Sequence, residues 1–390
     1  MNWVKRDRSK LSRPAIHHSV NFFESGEMKI LHVLYAGLGG HANVFFSLVR
    51  ADEEKQFEYE ALFTGVEEMR EEYQQQCAEN GVAYNFLKKR RGADFGFYMR
   101  LIRRIRKSNS QIIFLHASAN ILPAKIALAF SKGKRKIIVR ETQANELKTK
   151  WEWKWLKLAL RFANHIVFLS DAYNDQVKKK LHNIYPAEKV EVIPNGIDLE
   201  IFRPNERKIA GELVLGMQSR LVIIKDHVTL LKAFALFMQE APGLKTKLRI
   251  AGDGEYRNLL EAKANELGIA DHVEFMGTLD QSALVTFIQS LDIYVHASQG
   301  ETMSTAIMQA MACRKAIIAS DVAGIDNMLV NNETGLLVPV EDPEAMMVAM
   351  QRLSNSKELA ERLADNAYRF ALEHYSKEIM FDRYKKLFNS

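Results

Sequence analysis

The chain has 390 residues, 47% of them hydrophobic and 26% charged, with a net charge of +6. Length and balance suit a globular protein of two or three domains with a substantial core. No apolar run reaches the roughly 18 residues of a bilayer-spanning helix, and the two cysteines, Cys77 and Cys313, match no metal spacing and predict reduced thiols in a cytosolic setting.

The charge is unevenly spread. Residues 28–195 carry 28 Lys and Arg against 18 Asp and Glu, whereas residues 196–390 carry 21 against 27. A basic half joined to an acidic half predicts that one face meets something anionic, whether phospholipid, acidic glycan or nucleic acid. Residues 1–27 hold five basic residues but no apolar core of a secretory signal, and read as a loose extension or a miscalled start ahead of Met28.

In chain order, "KILHVLYAG" (29–37), "EYEALFTG" (58–65), "QIIFLHAS" (111–118), "KIIVRET" (136–142), "HIVFLS" (165–170) and "VEVIPNG" (190–196) read as strands. Most are near-continuous apolar runs, as parallel strands covered on both faces require. The stretches 95–107 and 151–163 between them have helical spacing. A second series follows: "LVLGMQS" (213–219), "KLRIAGDG" (247–254), "HVEFMG" (272–277), "IYVHAS" (293–298), "AIIASDV" (316–322) and "GLLVPV" (335–340). Two βαβ series predict an α/β protein of two doubly wound, Rossmann-like domains facing across a cleft. The expected boundaries are 28–195 and 196–370, with a last amphipathic helix over 371–390 packing back toward the first domain. Ligands of open α/β sheets bind at the carboxyl ends of the strands, so the cleft is the expected active site.

Several stretches could carry chemistry there. After the first strand, Gly39 and Gly40 let backbone approach a phosphate or sugar hydroxyl, or simply make a tight turn. In "SRLVIIKDH", Arg220 and Lys225 sit where paired cations could neutralise a diphosphate, or else are two solvated surface charges. Gly252 and Gly254 open another ligand-facing turn. In "SQGETMSTAIMQAMAC" (298–313), a helix is expected from Thr302 to Arg314, its first amides on Thr302, Met303 and Ser304 facing an anion. Glu301, just ahead of them, could accept bonds from sugar hydroxyls, or be a helix-start acid worth about 0.3–1 kcal/mol. His116 in "LHASAN" is either an active-site imidazole or a hydrogen-bonded core histidine. Arg140 and Glu141 end the next strand. Finally, "KTKWEWKWLKLALR" (148–161) sets Trp151 and Trp155 on one helical face and cations including Lys150 and Lys154 on another. It reads either as an interfacial membrane anchor or as a core helix with a solvated basic side.

The order of these motifs resembles the retaining glycosyltransferases of family 4, which have the GT-B fold: Gly39-Gly40, "IPNGIDLEIFRP" (193–204), Arg220 and Lys225, "AGDG" (251–254) and "ETMSTAIMQAMAC" (301–313). The likeness extends over roughly 28–390 and implies transfer of a sugar from a nucleoside diphosphate donor to a hydroxyl of a saccharide acceptor. It implies that Arg220 and Lys225 hold the diphosphate, Glu301 the donor sugar, the amides of Met303 and Ser304 the phosphate or sugar, and position 309 the ribose diol. Where relatives have a second acid, this chain has Gln309, which predicts donor binding weaker by ~1 kcal/mol. Where many relatives have a histidine at a first-domain strand end, this chain offers Arg140 and Glu141, with His116 on the neighbouring strand. No D-x-D occurs, so no metal or other cofactor is implied. The resemblance implies an acceptor of lipid-linked or lipopolysaccharide type at the inner leaflet, and the basic first domain fits a peripheral protein on that anionic face. Nucleic acid is not expected, because the basic clusters lack a binding motif. Two rivals share the cleft: a nucleotide-sugar 2-epimerase and a non-catalytic, glycosyltransferase-like partner.

Overall fold

A computed structural model describes residues 28–37, 39–131, 133–205 and 211–390. The expected extension over 1–27 lies outside the described residues. The first lobe runs β1 (Met28–Tyr35), α1 (Gly40–Ala51), β2 (Phe57–Gly65), α2 (Glu71–Glu79), β3 (Ala83–Lys88), α3 (Phe95–Lys107), β4 (Ile112–Leu115), α4 (Ile121–Ala129), β5 (Lys136–Arg140), α5 (Lys150–Phe162), β6 (His165–Phe168), α6 (Asp171–Lys180) and β7 (Val190–Val192). The second runs β8 (Leu213–Gln218), α7 (His227–Glu240), β9 (Thr246–Ala251), α8 (Arg257–Glu266), β10 (Val273–Gly277), α9 (Gln281–Ser290), β11 (Ile293–His296), α10 (Thr305–Ala312), β12 (Ala316–Ser320), β13 (Leu336–Val338), α11 (Pro343–Asn355), α12 (Lys357–His374) and α13 (Lys377–Asn389).

Both sheets are parallel, in the orders β3-β2-β1-β4-β5-β6-β7 and β10-β9-β8-β11-β12-β13. The chain reverses direction across each sheet between β1 and β4 and between β8 and β11. Those switch points open crevices beyond the strands' carboxyl ends. The glycine turn after β1, the Arg220 loop after β8 and the Glu301 loop after β11 all emerge there.

Alternation along β1 explains how the first sheet is covered twice. Ile30 and Leu34 join the core packed by α1, α2 and α13, while Leu31 and Val33 join the core packed by α3 to α6. Helix starts follow local capping chemistry. Asp94 Oδ1 accepts from Phe97 N at 2.8 Å, and Thr149 and Glu152 form a reciprocal capping box at α5. At α7 the cap is Asp226, whose φ of 38° fixes the bend that follows Lys225.

The last helix leaves the second lobe. Met380, Phe381, Tyr384, Leu387 and Phe388 of α13 lie in the core of the first lobe, beside Phe45, Phe57 and Phe114. The crossing is pinned at "NGID". Ile197 N donates to Tyr375 O and Lys377 N to Ile197 O, both at 2.9 Å. Asp198, 3% exposed, takes Arg50 Nε of α1 at 3.0 Å and Lys377 Nζ of α13 at 3.1 Å. A Cβ on Gly196 would stand 2.6 Å from Ser376 O, so only glycine lets the two segments meet.

Candidate active site

A cavity of about 400 Å³ lies between the lobes. Its wall includes Gly39, Gly40 and His41 from the first lobe and Arg220, Lys225, Glu301 and Gln309 from the second. The lobes touch across it. Tyr173 OH lies 2.5 Å from Glu301 O, with Glu146 Oε2 competing for its proton at 2.9 Å, Thr302 Oγ1 donates to Thr142 O at 3.0 Å, and a Cβ on Gly40 would come within 2.6 Å of Thr305 Oγ1. Gly40 thus serves close approach of the lobes.

Arg220 is exposed and makes no ion pair with any described residue. Its loop is held from below by the turn after β9. Gly252 has φ of 130°, and a Cβ there would fall 1.8 Å from Ser219 O. A Cβ on Gly254 would fall 2.3 Å from Leu221 O. Gly252 lines the cavity, whereas Gly254, expected to face the ligand, packs beneath the Arg220 loop.

Lys225 and Glu301 form an ion pair with each other, and His296 Nε2 lies 2.9 Å from the same carboxylate oxygen. Burial would raise the pKa of Glu301. The ammonium of Lys225 and the hydrogen bond from His296 outweigh it and hold the carboxyl at about 2. His296 is itself pushed down by burial, against the pull of Glu301. The neutral ring therefore donates Nε2–H to the carboxylate and turns Nδ1 to Tyr294 OH at 3.4 Å.

The expected helix from Thr302 to Arg314 is corrected: α10 runs from Thr305 to Ala312. Ser304 is its cap, Oγ accepting from Ile307 N at 3.4 Å, and Thr302 is drawn out by its bond to the other lobe. The amide of Ser304 is already taken by Met328 Sδ at 3.2 Å. Met303 is buried, with Sδ accepting from Asn195 N at 3.1 Å. The leading amides of α10 are those of Thr305 and Ala306, both on the cavity wall. Gln309, 1% exposed, accepts through Oε1 from Gln218 Nε2, which leaves Gln309 Nε2 and Gln218 Oε1 buried without a partner.

On the first lobe, His116 is a hydrogen-bonded core histidine. It is buried, its Nε2 lies 3.0 Å from His32 Nδ1, and it does not line the cavity. Glu141 also lies off the cavity, paired with Lys148 Nζ at 3.4 Å. Arg140 does line it. The residue the sequence reading passed over is His41. It opens α1 beside Gly40, and its Nε2 lies 2.8 Å from Tyr35 O. Burial lowers its pKa to about 4, with Arg140 and Arg220 adding to the effect. Its position directly after the Gly-Gly turn, at a helix start, was the available signal. The tryptophans divide: Trp151 is 66% exposed with Lys154 Nζ 4.2 Å from its ring centroid, and Lys150 is exposed, but Trp155 is half-buried against the core under α5. Among the described residues, no helix is long and apolar enough to cross a membrane.

Buried histidines make the fold acid-labile. Burial lowers His32 and His227 to about 3. Each binds fewer protons folded than unfolded. Its stabilisation is complete above the unfolded pKa near 6.5 and is lost as pH falls toward the folded value, at up to ~1.4 kcal/mol per pH unit per group. The melting temperature is expected to fall steadily from pH 7 to pH 5, before most carboxylates titrate, and a flat profile across that window contradicts the assignment.

Comparison with known proteins gives the same architecture. The solved structure of Anabaena HepE in complex with UDP and glucose superposes with a TM-score of 0.80 over 93% of this chain and 100% of that one, at 17% identity. An uncharacterised glycosyltransferase of Methanocaldococcus jannaschii is 26% identical over 60% of each chain. A D-inositol 3-phosphate glycosyltransferase of Rhodococcus erythropolis is 29% identical over 53% of this chain and 51% of that protein. The matched region thus spans about half to three-fifths of these relatives. The profile of glycosyltransferase family 4 matches residues 38–201, and that of the glycosyl transferases group 1 matches residues 198–370. The two profiles adjoin at the "NGID" crossing and take in the glycine turn, the Arg220 loop and the Glu301 loop, so the chain belongs to the family 4, group 1 glycosyltransferases with the GT-B fold.

Proposed function

We propose that the protein transfers a sugar, with retention of anomeric configuration, from a nucleoside diphosphate sugar to a hydroxyl of a saccharide acceptor. The observation that carries this reading is Arg220, unpaired among the described residues, beside the Lys225–Glu301 pair, at the strand ends of the second lobe and facing the other lobe across a cavity of suitable size. Arg220, Lys225 and the leading amides of α10 take the diphosphate, so that charge building on the leaving group meets donors already in position. Glu301, ionised at neutral pH, accepts from donor-sugar hydroxyls. Gln309 Nε2 and Gln218 Oε1, each without a partner, meet the hydroxyls of the nucleoside. The acceptor hydroxyl attacks from the side the diphosphate leaves and passes its proton to the departing phosphate. The protein's own cations, rather than a metal, carry the charge balance in this scheme.

The acceptor is read as lipid-linked, met at the anionic inner face of the membrane. Supporting this, the layer of α3 to α5 exposes Phe95 at 78%, Phe130 at 69% and Trp151 at 66% among Arg and Lys side chains. Aromatic and basic residues together suit an interfacial surface. The donor assignment is tested by thermal shift with UDP and UDP-glucose, the ligand type seen in HepE, alongside other nucleoside diphosphate sugars. A ligand at a hundred times its dissociation constant adds about 2.7 kcal/mol of stability. Absence of any shift across the panel refutes the donor site.

A further inference from the structure

Arg140 ends β5 on the first-lobe side of the cavity. It is 2% exposed. Its Nη2 donates to Asn195 Oδ1, its Nη1 lies 3.4 Å from His116 Nδ1, its Nε is buried without an aligned acceptor, and the neutral Tyr384 hydroxyl lies beside the guanidinium. No carboxylate among the described residues pairs with it. The nearest in sequence, Glu141, is turned to Lys148 Nζ, which also donates to Gln143 O and Asn145 Oδ1. The neighbouring rings supply no balancing charge. Burial and the charge of Arg140 itself keep His32, His41 and His116 neutral, and burial pushes the Tyr384 hydroxyl up to about 12.

The other charges on the cavity wall cancel in pairs. Arg50 meets Asp198, Lys225 meets Glu301, and Glu72 meets Arg70. Two guanidiniums are left over, Arg220 from the second lobe and Arg140 from the first. A buried, uncompensated charge costs several kcal/mol, and a fold that keeps one facing a cavity, held in place by a neutral amide and a neutral imidazole, has left room for an anion there. One diphosphate accounts for Arg220. Arg140, on the opposite lobe, needs another.

We propose that Arg140 receives an anionic group of the acceptor, a carboxylate or a phosphate on the saccharide that takes the sugar. The proposal rests on the donor reading above, which assigns the diphosphate to the second lobe. An oxyanion that reaches Arg140 from the cavity can take two of its N–H groups at once, the forked pairing a guanidinium makes best. The acceptor's other hydroxyls are then oriented toward the donor by a contact that neutral saccharides cannot make.

The test uses the full-length protein saturated with UDP, so that the Arg220 side is filled. Calorimetric titration compares glucose-6-phosphate, glucuronate and glucose. The expected result is that one of the two anionic sugars binds about tenfold or more tighter than glucose, the phosphate and carboxylate arms deciding which oxyanion is meant. Arg140→Gln abolishes that preference and leaves UDP affinity unchanged, while Arg140→Lys keeps part of it. Because Arg140 is buried, a readout free of substitution runs in parallel: the Nε–H resonance of Arg140 in the wild-type protein moves with the preferred anionic sugar and not with glucose. Equal affinity for all three sugars in a protein that binds UDP overturns the acceptor proposal alone. Loss of UDP affinity in Arg140→Gln assigns Arg140 to the donor diphosphate and overturns it too. Failure of the wild-type protein to bind UDP overturns the donor reading and takes this proposal with it.

Discussion

Arg220→Ala lowers sugar transfer by about a hundred- to a thousandfold, the usual cost of removing one preorganised donor to a developing anion. The side chain is exposed and has no ion pair among the described residues, so its loss changes folding stability by no more than about 0.5 kcal/mol. Activity and stability therefore separate cleanly in this variant. Lys225→Ala acts at two points. It removes a cation from the diphosphate side and strips Glu301 of the charge that holds its carboxyl near 2. Glu301 is then buried against a neutral His296, and its pKa rises toward neutral pH. The loss of transfer is accordingly as large, and it steepens below neutral pH, where Arg220→Ala shows no such trend. Transfer rates measured across pH with a saturating acceptor distinguish the two. Unchanged turnover in Arg220→Ala would falsify the assignment of the diphosphate to this lobe.

Asp198→Asn destabilises the protein by about 3 kcal/mol, since it takes the shared buried carboxylate from Lys377 and Arg50 and leaves Lys377 only the exposed Glu200 and Glu378. Burial alone would lower the pKa of Lys377, yet the pairing with Asp198 raises it, which makes the ammonium the charged species left behind. The damage falls where α13 returns to the first lobe, so the variant loosens the attachment of Tyr384 and Phe388 as well. Urea unfolding measures the loss. Lys377→Met added to Asp198→Asn restores part of it, because the pair is then removed together. A loss under about 1 kcal/mol in the single variant means that the crossing is held by its backbone bonds and glycine contact instead.

The two-lobed arrangement could be read from the chain because most of its strands are buried on both faces, and twelve of the thirteen fall in the apolar-rich runs read as strands. The missing one, β3, is the edge of the first sheet. Its residues Ala83, Tyr84 and Asn85 are exposed, so burial never selected an apolar run there. Residues of the site that sit next to a strand end and a glycine could also be found, as Arg220, Lys225 and Glu301 were. What could not be read was pairing across long separations. Nothing local tells that Lys225 meets Glu301, 76 positions on, or that His116 turns to His32, 84 positions back. The same blindness hid the partner of Glu141, a lysine seven residues away on a loop with no period to betray it. The start of α10 was misplaced for a related reason: Thr302, a fair first-turn residue by itself, is claimed by a carbonyl of the other lobe.

That claim has a kinetic consequence. Tyr173 and Thr302 fasten the lobes with two hydrogen bonds at the rim of the crevice. Each is worth about 0.5–1.5 kcal/mol net, a latch that costs little to open. Because Tyr173 grips the carbonyl of Glu301, the act of unlatching tugs on the residue assigned to the donor sugar, so that admission of a substrate and alignment of that carboxylate become one motion.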